Sequence, residues 1–116
     1  MLPRQHRLTD SRSFAYAVRN GRRIPTRTVV AHLVTGADGD PAAPEPPARV
    51  GLIVSKRVGN SVQRHRVSRR LRHAVARDLE RLPPGSVLVL RALPAAVAGD
   101  ADLPRDVSRI MSRISS

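Results

Sequence analysis

The stretch Arg49–Arg77, RVGLIVSKRVGNSVQRHRVSRRLRHAVAR, reads as a strand, a turn and a helix in that order. Its opening, Arg49–Val54, is apolar and rich in β-branched residues, the signature of a short buried strand. From Asn60 to about Leu82 neither proline nor glycine intervenes, and Val67, Leu71, Ala74, Val75 and Leu82 share one face at a period of about 3.6 residues. That spacing predicts a long helix over residues 60–82, ended by Pro83, Pro84 and Gly85. A strand feeding an amphipathic helix needs a sheet for the helix to cover, so the flanking chain should supply further strands.

It does so on both sides. Thr28–Val34 and Ser86–Leu90 are apolar, β-branched runs, and a short extra strand is expected near Arg23–Pro25. Upstream, Asp10 or Ser11 can cap a helix over residues 11–20, in which Phe14, Ala15, Ala17 and Val18 recur at helical spacing before Asn20 and Gly21 stop it. Downstream, Leu103, Val107, Ile110, Met111 and Ile114 mark a third helix. The order predicts an α+β fold, a four-stranded sheet packed with three helices, in one domain over residues 1–116. Segment 36–48, dense in Gly, Ala and Pro with Asp38, Asp40 and Glu45, reads as a flexible acidic connection.

Lysine plus arginine number 21 against 9 acidic residues, a formal net charge of +12 that favours a polyanionic partner. Lys56 is the only lysine, and guanidinium groups can grip phosphate with two hydrogen bonds and stack on bases. No segment has the apolar length for a membrane span, and an amphipathic membrane anchor rich in bulky apolar groups is absent too. Without cysteine there is no disulfide framework, thiolate nucleophile or zinc cluster. Met1–Leu8 lacks an apolar signal region, so the cytoplasm is the expected compartment.

The charge is concentrated where the helix begins. Ser55–Arg77 holds seven arginines and one lysine, and a helical wheel places Arg66, Arg70, His73 and Arg77 in a stripe flanked by Arg69, away from the apolar face. Arg64 falls on the apolar side, so the first turn is expected to overhang the sheet edge. Ahead of the helix, Lys56, Arg57, Val58, Gly59 and Asn60 form a turn. Gly59 there permits unusual backbone angles, Asn60 is an N-cap, and free N–H groups beside two cations suit an anion. The histidines His6, His32, His65 and His73 show no metal-binding spacing. No carboxylate cluster stands ready for magnesium, since Asp78 and Glu80 diverge on the helix. The chain should bind nucleic acid rather than cut it. A ribosomal-type rRNA-binding protein and a DNA-compacting protein fit the same composition.

Arg64–Arg72, RHRVSRRLR, resembles the signature helix of the bacterial ribonuclease P protein subunit. Arg49–Asn60, RVGLIVSKRVGN, is similar to that family's third strand and following turn, and His6–Gly21, HRLTDSRSFAYAVRNG, to its first helix. His65 stands where the family commonly has Asn, and Ser68 where a basic residue is usual. The resemblance implies a left-handed βαβ crossover and an RNA-binding surface of Lys56, Arg57, Asn60, Arg64, His65, Arg66, Arg69, Arg70 and His73 facing a catalytic RNA. It implies a cleft lined by Phe14, Val18 and His32 for the single-stranded 5′ leader of precursor tRNA, the last two replacing frequent aromatics. The implied activity is endonucleolytic removal of that leader, with Mg²⁺ held chiefly by the RNA, no catalytic or metal-ligating residue on the protein, and no protein oligomer required. The alternative is a non-catalytic rRNA-binding protein.

Overall fold

A side chain in a strand alternates between faces, and β2, Val29–Val34, shows what each face of the sheet must meet. Val29, Ala31 and Leu33 belong to the main core, while His32 and Val34 point to the opposite side. The computed structural model describes residues 7–9, 11–35 and 47–115. Within them, β1 (Arg22–Pro25), β2, β3 (Arg49–Ile53) and β4 (Val87–Ala92) form one sheet of order β1-β2-β4-β3. β2 runs antiparallel to both β1 and β4, with Ala31 opposite Leu90 and His32 opposite Val89. β3 and β4 are parallel neighbours, Val50 opposite Leu88, joined through the helix α2 (Ser61–Ala76) in a βαβ crossover.

Helix α2 and helix α3 (Leu103–Ser115) cover one face of the sheet. Val67, Leu71 and Val75 of α2 and Val107, Ile110 and Met111 of α3 pack against Ile24, Val29, Ala31, Leu88 and Leu90. Each fully buried side chain of this kind contributes roughly 1.5–3 kcal/mol. Helix α1 (Ser11–Asn20) lies on the other face over a smaller cluster of Leu8, Ala17 and Val89, with Phe14 partly buried against it. A buried carboxylate ties α3 to the start of β2: Asp106 Oδ2 accepts from the Thr28 N–H at 3.2 Å and from the Thr28 hydroxyl.

Three expectations change in detail. The long helix ends at Ala76 rather than near Leu82, because the chain tightens after Arg77 and continues as a 3-10 turn over Leu79–Arg81. That tightening brings Leu79 and Leu82 to the core, and Leu82 is extended, as a residue before proline prefers. Gly59 has no left-handed backbone; among the described residues the only positive φ is at Gly85. A Cβ at Gly59 would meet the end of the Gln63 side chain, which would have to shift from its place in the helix cap. Of the expected connection 36–48, residues 36–46 lie outside the described set, while Ala48 is buried in the core and Arg49 N–H donates to Ser86 O at 2.9 Å. The expected cap at Asp10 also lies outside the described residues.

Candidate nucleic-acid interface

The turn from β3 into α2 is built before its cations are considered. Val58 is buried and donates its N–H to Ser55 O at 3.1 Å, which pins the turn and leaves Lys56 and Arg57 exposed on either side of it. Asn60 and Gln63 then form a reciprocal capping box: Gln63 N–H donates to Asn60 Oδ1, and Asn60 N–H to Gln63 Oε1, both at 2.9 Å. The N-cap expected at Asn60 is thereby formed, and two backbone donors of the helix start are used. The N–H groups of Ser61 and Val62 still lack intrahelical acceptors by the geometry of a helix start, and the first turn holds no acidic residue.

Along α2, His65, Arg66, Arg69, Arg70, His73 and Arg77 are exposed. Among the described residues the only salt bridges are Arg27–Asp100 at 2.7 Å and Arg81–Asp78 at 3.6 Å, so no carboxylate neutralises this row of cations. Arg64 is half-buried, with its Nε shielded from water and without a hydrogen-bond partner, while Val62 beside it is 66% exposed. The first turn does project from the sheet, and the Arg64 stem lies back against the protein.

Phe14 occupies the opposite face. Its ring lies directly over Gly51 of β3, where a Cβ would overlap it, and the ring separates two grooves. One, about 340 Å³, is lined by Arg7, Leu8, Gly51, Leu52 and Arg72; the other, about 400 Å³, by Ala15, Val18, Arg19 and Ile53. Phe14 and Val18 are therefore brought together, while His32 lines neither groove. His32 is 4% exposed beneath this face, and both ring nitrogens lack hydrogen-bond partners. Burial pushes its pKa below the ordinary histidine value, and the charges of Arg91 and Arg23 push it further down. Arg72 was not among the expected interface residues. Its place beside Leu71, at the border of the apolar face, is the signal that it reaches the sheet edge.

Among the described residues no group of three or more histidines and carboxylates is placed to hold a metal ion. What the two faces offer is fixed positive charge on one side and an aromatic ring between shallow grooves on the other. A family model described as Ribonuclease P matches residues 2–115. The chain belongs to the ribonuclease P protein family. It is 50% identical to the ribonuclease P protein component of Streptomyces bikiniensis, over 98% of this chain and 95% of that one. The counterpart from a Nocardioides species is 47% identical over 100% and 97%. Among solved structures, a Staphylococcus aureus RNase P protein mutant with defective mRNA degradation activity superposes with a TM-score of 0.76, at 18% identity, over 93% of this chain and 86% of that one. The Thermotoga maritima RNase P protein in complex with 1-(4-fluorophenyl)-2-thiourea gives 0.72, at 16% identity, over 94% and 97%. The chain is thus a ribonuclease P subunit rather than a ribosomal-type rRNA-binding protein, on the α+β scaffold expected.

Proposed function

We infer that the chain works as the RNA-binding half of a ribonucleoprotein, in which a catalytic RNA removes the 5′ leader of precursor tRNA and the protein holds both RNAs. The observation that carries this reading is the row of guanidiniums at Arg66, Arg69, Arg70 and Arg77, exposed and free of carboxylate partners among the described residues. Such a row suits a phosphate backbone. Lys56, Arg57, Asn60, Arg64, His65 and His73 extend the surface around the β3–α2 turn. On the opposite face, Phe14 supplies a ring on which a leader base can stack, an interaction worth roughly 1–3 kcal/mol. Val18 widens the groove beside it, and His32 supports that face from below.

Phosphodiester cleavage calls for metal-bound water or positioned acid and base groups. In this reading Mg²⁺ belongs chiefly with the catalytic RNA, and the protein's cations lower the amount required by screening phosphate repulsion. The reaction belongs in the cytoplasm, where precursor tRNA is made in bacteria, and no helix among the described residues is long and apolar enough to cross a membrane.

Reconstitution tests the reading. Purified protein added to its own catalytic RNA should lower the Mg²⁺ concentration at which precursor tRNA is cleaved, and the gain should shrink when the 5′ leader is removed. Equal cleavage with and without protein across the Mg²⁺ range would remove the assisting role. Replacing Arg66 and Arg69 with alanine should flatten the salt dependence of RNA binding by roughly 0.7–0.9 log units of slope for each phosphate no longer neutralised.

A further inference from the structure

A third groove, of about 400 Å³, opens between α2 and the start of α3, apart from the two beside Phe14. Its α2 wall carries Arg69, Arg70, His73 and Arg77, and its α3 wall Pro104 and Ser108, with the nearly buried Ala74 between them. The guanidiniums of this wall have no carboxylate partners among the described residues. Asp78, the carboxylate at the groove, is already 3.6 Å from Arg81 Nη1.

The volume lies within the roughly 300–1,000 Å³ range of small-ligand sites. A duplex cannot enter such a space, whereas one nucleotide turned out of its stack can. The lining suits both halves of a nucleotide. Guanidinium and imidazole planes stack on a base and bind its phosphate, while Ala74 and Pro104 give apolar surface that a bare phosphate would leave unused. The groove also lies against the arginine row itself, so a strand following that row passes its mouth.

We propose that this groove takes a single unstacked nucleotide of the RNA lying along α2. The proposal rests on the reading of α2 as an RNA-binding surface and adds to it a site for one base. Phosphate contacts give affinity and register; an inserted base gives a fixed anchoring point. The groove makes α3, which carries none of the expected interface residues, part of the interface.

Ser108→Phe tests it, because Ser108 is exposed and the substitution fills the groove from α3 without altering net charge. Affinity for the catalytic RNA should fall about tenfold, as for the removal of one stacked base, while the slope of affinity against salt stays that of the unaltered protein. A Ser108→Phe protein that is folded and binds the RNA as tightly as the parent overturns the groove and leaves the arginine row standing. Failure of the parent protein itself to bind the catalytic RNA would instead end the underlying reading. Independently of any variant, an NMR titration of the parent with AMP should shift the amide signals of Ala74 and Ser108 more than an equal concentration of inorganic phosphate does. Equal shifts from the two, or none from AMP, overturn the nucleotide site.

Discussion

Replacing Gly51 with alanine sets two effects of opposite sign against each other, and the structure decides between them. In open space a strand glycine changed to alanine gains about 0.5–1 kcal/mol, because the unfolded chain loses freedom. Here the new methyl would sit inside the Phe14 ring and 3.0 Å from Leu8 Cδ2, so the ring must move. Overpacking of this kind costs about 1–3 kcal/mol, which exceeds the gain and leaves a net loss of up to about 2 kcal/mol. For a domain of this size that is a Tm lower by up to roughly 8 °C. The loss should depend on the ring, so the assay is a double-mutant cycle with Phe14→Ala, read by urea unfolding. In the Phe14→Ala background Gly51→Ala should be neutral or stabilising, giving a coupling of about 1 kcal/mol or more. Additive single and double changes would refute the idea that Gly51 is small because Phe14 lies on it. The same cycle read through leader-dependent cleavage reports whether the displaced ring matters to substrate.

Asp106→Ala strands the Thr28 N–H and hydroxyl in a buried setting and should cost about 1–3 kcal/mol in urea unfolding, with Asp106→Asn losing less; an unchanged midpoint contradicts the tie between α3 and β2. Asn60→Ala breaks the capping box and should lose about 1 kcal/mol, with faster hydrogen exchange confined to the first turn of α2; uniform exchange rates would speak against it. His32 has a folded-state pKa below its unfolded one, so the unfolded chain takes up the proton first. Its contribution is complete above the unfolded value of about 6.5 and is lost as pH falls from there toward the folded pKa. His32→Phe should therefore flatten the decline in stability between about pH 7 and 5, and an unaltered decline would exclude His32 as its source.

Much of the framework was legible because single-residue chemistry repeats along the chain. β-branched runs marked β2, β3 and β4, and the apolar period of Val67, Leu71 and Val75 marked both α2 and its buried face. The arginine stripe followed from the same wheel, and its members are exposed where the wheel put them. The end of α2 was not legible. Residues 77–82 contain no helix breaker, and it takes Leu79 and Leu82 seeking the core to tighten the backbone ahead of Pro83. Gly59 read as a position of backbone freedom, yet its backbone is ordinary and the Gln63 side chain lies against it, while nothing in the linear pattern marked Gly51 as the place where Phe14 lies on the sheet. The Thr28–Asp106 tie joins residues 78 apart, and the α2–α3 groove joins two helices whose packing no linear pattern specifies. Arg64 fell between the two readings: its turn projects, but its stem does not.

The sheet order β1-β2-β4-β3 has a consequence for the chain as it leaves the ribosome. β2 and β3 meet only through β4, which is the last strand to be made. Until residue 92 has emerged, the nascent polypeptide can form no more of the sheet than the β1–β2 hairpin, and an isolated hairpin is marginal in water. At about 5–20 residues per second that interval lasts seconds, during which the densely cationic α2 is already out and unanchored. A chain ordered this way meets nearby polyanions before it has a sheet to rest on, so final folding and capture by RNA compete for the same helix.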